Sequence, residues 1–274
     1  LVTWFTAHSH GAPALRNRLG DKQRSQIIAA VRAYLREAAN EHHITEITFS
    51  AAPAAPAYRG ERCPLVTPLI LFDFEWTPDQ VWMVSLAREM NVIRQSYSYQ
   101  TRSDLRKTQN YTIHEVQDNR DLSIYYDLHL ETCQRTGDQP HPWGYFRMVF
   151  DRFLVSGRCR IFFFVQEERV IAAQCTGLFK GGANFWFGAS RSDKPQHGGE
   201  NRALFDLQFD RARQEGIEWY FLGNALAKGK LSGISEFKAS FGSQLFPYFR
   251  GRLVTNIPRR RFFSHLELLT GYSE

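Results

Sequence analysis

Two arginine-rich clusters carry the plainest chemical signal in this sequence. Arg102, Arg106 and Lys107 form one; Arg250, Arg252, Arg259, Arg260 and Arg261, with Phe262 and Phe263 adjacent, form the other. Such clusters bind phosphate backbones without reading sequence, and they also occur as plain solvated faces. Lys238 lies between Phe237 and the Phe241–Gly242 turn, an odd setting for a mere surface charge, unless its stem only covers core rings. Nine histidines include the close pairs His8/His10 and His42/His43. Neither pair has an HExxH frame or a carboxylate at useful spacing, so no metal site is expected. No GxSxG elbow accompanies a serine or cysteine, which sets aside a covalent hydrolase.

The chain has 274 residues, and 34 Lys+Arg against 28 Asp+Glu give a formal net charge of +6. That mild excess fits an anionic partner such as phosphate, a nucleotide or RNA, or simply a solvated basic surface. With 43% hydrophobic and 23% charged residues, disorder, collagen-like repeats and a disulfide-rich miniprotein are excluded. The length allows one large domain or two of ordinary size. The best candidate apolar runs, Pro68–Phe72 and Ile161–Val165, fall far short of the roughly 20 residues that cross a bilayer. Cys63, Cys133, Cys159 and Cys175 are scattered without a CxxC, so reduced thiols and a cytoplasmic location are expected. The opening at Leu1 has no signal-peptide pattern and suggests a fragment or processed product.

The elements that must position these residues read as a mixed α/β chain. Apolar residues at Ile27, Ile28, Val31, Tyr34, Leu35 and Ala38 predict a helix over Asp21–Asn40, followed by a strand at Glu46–Ser50. The three prolines of Ala51–Pro64 predict an irregular loop. Leu65–Phe74 reads as a buried strand, and Pro78–Met90 as a helix capped by Thr77. Next come a basic helix at Thr101–Asn110 and a strand at Tyr111–Val116. Helices at Asn119–Thr136 and Gly144–Val155 follow, then a hairpin of Arg160–Gln166 and Arg169–Phe179. A strand at Asn184–Gly188, a glycine-containing loop at Lys194–Glu200, a helix at Asn201–Gln214 and a strand at Trp219–Leu222 complete the pattern. The order α, α, β, β, β, α, β from Asp121 onward predicts a mixed sheet carrying helices.

Several blocks in order carry a family resemblance. They are SIYYDLHLETCQRTGDQPHPWGY at Ser123–Tyr145, ERVIAAQ at Glu168–Gln174, WFGAS at Trp186–Ser190 and NRAL at Asn201–Leu204. GIEWYFLG at Gly216–Gly223 and ISEFKASFG at Ile234–Gly242 follow. Together they resemble the Fem-type transferases, relatives in the GNAT superfamily that build peptidoglycan interpeptide bridges, and the wider group of Fem-like N-acyltransferases. TRSDLRKTQNYTI at Thr101–Ile113 resembles the basic helix linking the family's two domains.

The resemblance implies an α/β (α+β) fold of two tandem GNAT-like domains with mixed sheets flanked by helices, the first entered late and so incomplete. It places a partial first domain with the basic linker helix at 1–116, a complete second domain at 117–250 and a basic tail at 251–274. It further implies direct attack of an amine on an activated acyl carbon, with no covalent enzyme intermediate and no bound cofactor. The donor substrate would be an aminoacyl-tRNA or an acyl-CoA, and the acceptor a small molecule or a peptidoglycan precursor.

Lys238 matches the motif lysine that would stabilise the oxyanion. Arg135, Tyr145, Trp186 and Gln174 fall in blocks that would bind substrate. A planar arginine suits a carboxylate or phosphate, and aromatics can wall a sugar, base or pantetheine arm. Their bland alternatives are core packing for the aromatics and a helix C-cap for Arg135. Gln196, Gly198, Gly199 and Asn201 occupy the place of the phosphate cradle of acyl-CoA enzymes, where backbone N–H groups meet a helix start. Asn201 departs from the usual Gly or Ala there and can be a plain N-cap, and Glu200 would repel a phosphate. A non-catalytic binding module on the same scaffold is the alternative from another class.

Overall fold

The computed structural model describes residues 5–9, 15, 19–50, 68–108, 111–179, 181–193, 199–225 and 233–255. The chain divides into two compact units, one made of residues 1–80 and 247–274 and the other of residues 81–246.

In the first unit, strand β1 (Phe5–Ser9) pairs parallel with β2 (Ile44–Ser50), and β2 pairs antiparallel with β9 (Gln244–Val254) through Glu46↔Val254 to Ser50↔Arg250. Helix α1 (Asp21–Glu41) covers this sheet as its periodicity predicts, packing Leu35 and Ala39 with Ile47, Leu69, Phe72, Phe74 and Leu253. Arg32 and Arg36 hold Asp73 at 2.9 and 3.0 Å. The strand expected at Leu65–Phe74 is a 3₁₀ turn over Pro68–Phe72, with residues 65–67 outside the described set. Its three-residue period buries Leu69 and Phe72 and leaves Ile70 exposed, which from sequence reads as an apolar run. The loop expected at Ala51–Pro64 lies outside the described residues.

The helix expected at Pro78–Met90 is instead a strand, β3 (Glu75–Ser85). Val81, Trp82, Met83 and Val84 are all buried, which a strand covered on both faces achieves and a single amphipathic helix does not. Helix α2 (Met90–Gln95) follows, then α3 (Tyr99–Lys107), capped by Ser98 Oγ accepting from the Thr101 amide at 3.1 Å.

The second unit orders its strands β3-β8-β7-β6-β5-β4, with β4 (Tyr111–Glu115), β5 (Cys159–Gln166), β6 (Arg169–Phe179), β7 (Gly182–Ser190) and β8 (Trp219–Asn224). All described ladders of this unit are antiparallel except β7 with β8. Alternation along β5 sends Ile161 and Phe163 to one face and Phe162 and Phe164 to the other. The first face carries α4 (Leu122–Thr136) and α5 (Trp143–Met148), the latter running into a π turn at Val149–Leu154. The second face carries α6 (Gly199–Gln214). The hairpin turn at Glu167 and Glu168 puts both residues at positive φ, 49° and 61°. Helix α3 and strand β4, grouped above with the first domain, lie within this second unit. Cys133, Cys159 and Cys175 are free and buried, and Cys63 lies outside the described residues. No described helix is long and apolar enough to cross a membrane.

Candidate functional site

Strands β7 and β8 pair only from Gly182↔Trp219 to Asn184↔Phe221, although β7 runs on to Ser190 and β8 to Asn224. Two parallel strands that part in this way present backbone N–H and C=O groups to an extended, amide-bearing chain. Lys238 sits at the end of β8. It lies on the short helix α7 (Gly233–Ala239), not in a turn or at a strand end, and its Nζ donates to the Asn224 carbonyl at 3.0 Å. Gly223, at φ 94°, leaves room for that ammonium, since a Cβ there would stand 3.2 Å from Nζ. Burial pushes the Lys238 ammonium below the ordinary lysine range.

Three contacts fix α7. Trp82 Nε1 on β3 donates to Ser235 Oγ at 3.4 Å, Phe237 packs on Phe205 and Phe241, and Arg202 stacks 5.0 Å over the Phe237 ring. Gly242, at φ 65°, closes the following turn against Ser96, where no Cβ fits.

Three of the other predicted residues lie on the α4/α5 face. Arg135 in the last turn of α4 donates to Ser190 Oγ at 3.2 Å at the end of β7. It does not cap its helix, because Gly137 at φ 79° does so with its amide on the Cys133 carbonyl at 2.8 Å. Tyr145 stacks on His141 at 4.6 Å and packs near Phe187 at 6.2 Å. Trp186 is the extra residue of a bulge in β7. Its ring turns onto Gly177 and meets Phe153 edge-on at 5.4 Å. The structure thus groups Arg135, Tyr145 and Trp186 on one face, while Lys238 is half-buried between Phe237 and Ala239, which pack against the core of the other.

Gln174, 1% exposed, is occupied on both ends of its amide. Nε2 donates to the Asn201 carbonyl and Oδ1 at 3.3 Å each, and Oε1 accepts from Gln208 Nε2 at 2.7 Å. Gln208 in turn accepts from Thr176 and from Tyr220 Oη at 2.8 Å, a chain that ties β6 and β8 to α6. Gln174→Leu is therefore expected to cost about 1–3 kcal/mol for each group left unpaired. Urea denaturation measures that loss, with ligand affinity per folded molecule unchanged.

Of the cradle residues, Gln196 and Gly198 lie outside the described set. Gly199 is pressed against α3, where a Cβ would fall 2.9 Å from Thr108 Cγ2 and 3.0 Å from the Asp104 carbonyl. Glu200 is buried. Basic residues are also engaged internally. Arg102 donates to the Gln95 and Tyr97 carbonyls, Lys107 faces Asp104 at 3.9 Å, Arg250 pairs with Asp79 at 2.9 Å and Arg252 with Glu46 at 3.0 Å. Among the described residues no group of three or more His, Cys, Asp or Glu is placed to hold a metal ion.

The sequence reading passed over His129 and His141. The structure stacks their rings 5.8 Å apart at 8°, and the one available signal was a histidine flanked by prolines beside Trp143.

The family model described as an acetyltransferase (GNAT) domain matches residues 94–238. No curated protein sequence matches the chain. Among solved structures the chain resembles the crystal structure of FemX, with a TM-score of 0.60, 13% identity, and coverage of 84% of this chain and 77% of that one. It resembles L-PGS from Bacillus licheniformis with a TM-score of 0.54, 14% identity, and coverage of 84% and 74%. A tandem GNAT protein from the clavulanic acid biosynthesis pathway aligns with a TM-score of 0.52, 14% identity, and coverage of 88% and 72%. At such identities these three likenesses speak to fold. The family model spans more than half of the sequence, and with the parted strands and the α4-α5-sheet-α6 order it establishes that the chain belongs to the GNAT acyltransferases, on a Fem-like tandem fold.

Proposed function

We propose that this acyltransferase forms an amide by moving an aminoacyl group from an aminoacyl-tRNA to the amine of a peptidoglycan-precursor-like acceptor, in the cytoplasm. The observation that carries the reading is Lys238, a half-buried ammonium held at the tip of β8 beside the parting of β7 and β8. In this reaction the acceptor nitrogen attacks the ester carbonyl carbon, and negative charge gathers on its oxygen. Collapse breaks the ester C–O bond, and the proton lost by nitrogen passes to the leaving ribose oxygen. Lys238 would donate to the oxyanion, releasing the Asn224 carbonyl. Arg135, with one neutral partner, is suited to an acceptor carboxylate or phosphate, and Tyr145 and Trp186 to the wall beside it. That wall lies on the face opposite Lys238, so the acceptor amine would have to reach the ester through the parting of β7 and β8.

An acyl-CoA donor is the second reading, favoured by the parted strands, which suit a pantetheine arm. Against it stands the start of α6, where Gly199 packs on α3 and Glu200 is buried. RNA contact would fall on the basic residues Arg259, Arg260 and Arg261, outside the described set.

The test incubates the chain with an aminoacyl-tRNA or with acetyl-CoA, and with a panel of amine acceptors, reading amide products by mass spectrometry. Product from the aminoacyl-tRNA alone is expected. Product from acetyl-CoA alone overturns the donor assignment, and turnover with neither leaves a binding module.

A further inference from the structure

The loop joining α4 to α5 is short of backbone hydrogen-bond donors at its far end. His141 stands between Pro140 and Pro142, whose nitrogens carry no hydrogen, so its amide is the one N–H of that tripeptide. That amide donates to His129 Nε2 at 3.0 Å. Nε2 can accept only when it carries no proton, which puts the hydrogen of the neutral ring on Nδ1. The His141 ring lies on His129 at 5.8 Å and on Tyr145 at 4.6 Å, so the same bond sets the stack that holds Tyr145.

We propose that His129 is a positioning residue: its unprotonated Nε2 latches the 137–142 loop through the His141 amide and thereby orients Tyr145. Protonation sets an imidazolium N–H against an amide N–H, and the latch opens.

The groups facing His129 do not rescue its charged form. On α4, Cys133 Sγ lies 3.6 Å from Nε2 and 3.7 Å from Nδ1, and Tyr126 packs at 6.3 Å. From the loop comes the His141 ring, itself a base that repels a second positive charge. From α5 comes Phe146 at 4.6 Å, edge-on and neutral. The nearest loop carboxylate, Asp138, is bound by Thr136 Oγ1 at 2.6 Å. Burial first, and His141 second, push the His129 imidazole below the usual histidine range. The latch is therefore intact at neutral pH and is lost as pH falls through that lowered value. Since the unfolded chain binds the proton more readily, this contribution to stability is complete above the ordinary histidine range and disappears on acidification.

The effect on substrate rests on the proposed place of Tyr145 in the acceptor wall, so the test reads the latch separately. Hydrogen exchange at the His141 amide of the full-length protein, corrected for the intrinsic rate, is followed across the NMR titration of His129. Protection is expected to drop about tenfold or more at the His129 midpoint, while α4 amides stay protected. H129F, which keeps a ring and loses the acceptor, is expected to lack protection at every pH. Should H129F not fold, the wild-type titration decides alone. Protection that ignores the His129 titration, or that survives in H129F, overturns the latch. An acceptor KM that stays flat while the latch titrates supports the latch and removes Tyr145 from the acceptor wall.

Discussion

Replacing Lys238 by methionine is expected to lower kcat about 10²–10³-fold, the range seen when one oxyanion donor is removed, with little change in substrate KM. Methionine keeps the length of the stem and its packing beside Gly223, so the loss reports the ammonium. Two stability terms oppose each other in the variant. Losing the hydrogen bond leaves the Asn224 carbonyl short of a donor, which costs about 1–3 kcal/mol if no water replaces it. Removing a half-buried charge recovers its desolvation penalty. The melting temperature near pH 7 should therefore move by only a few degrees, by roughly 2–4 °C for each kcal/mol of imbalance.

The pH dependence adds a second signature. Because the folded chain holds the Lys238 proton less tightly than the unfolded chain does, wild-type stability gains with rising pH between the lowered value and the ordinary lysine value. The methionine variant lacks that gain. Near-normal turnover in a folded Lys238→Met enzyme would remove Lys238 from the mechanism and leave the parted strands as the site's main feature.

What the sequence disclosed, and what it withheld, follows from the range of the interactions involved. Helix α1, the β5–β6 hairpin and the α4–α5 pair are written in local periodicity, so their residues name their own partners. Strand β3 is not, because Val81, Trp82 and Val84 owe their burial to strand β8 and to helices far along the chain. A run such as VWMVSL fits a buried strand and a helix alike until that cover is known. The same limit applies at the site. Lys238 was legible from the motif around it, whereas its link to Asn224 depends on a left-handed glycine at the end of another strand. Gln174 sits in a motif block that suggested substrate contact. Its hydrogen bonds to Asn201 and Gln208 are fixed by how α6 lies on the sheet, which no local pattern encodes. His129 carries no local signal that separates it from its neighbours on α4. Its importance comes from a loop amide twelve residues later.

Gly177→Ala should be strongly disruptive for a single methyl in a β-strand of the second unit. On β6, opposite Asn184, the new Cβ would fall 2.2 Å from Trp186 Cε2. The indole cannot simply retreat, because its other contacts are Phe153 at 5.4 Å and Phe187 at 6.3 Å. Either the bulge reopens or the π turn carrying Phe153 shifts, and overpacking of this kind costs about 3 kcal/mol. For a chain of this size that is a fall of roughly 10 °C in melting temperature. Trp186→Leu alone leaves a void and is expected to cost about 2 kcal/mol. If the close approach of Gly177 to Trp186 is the cause, the double variant must be less unstable than the two losses added, by about 1 kcal/mol or more. Strict additivity would mean that the bulge, not the ring on the glycine, sets the strain. The cycle also reaches function: Trp186→Leu keeps β7 in register, so a higher acceptor KM in that variant would assign the indole to the wall, and an unchanged KM would leave it as packing for the bulge.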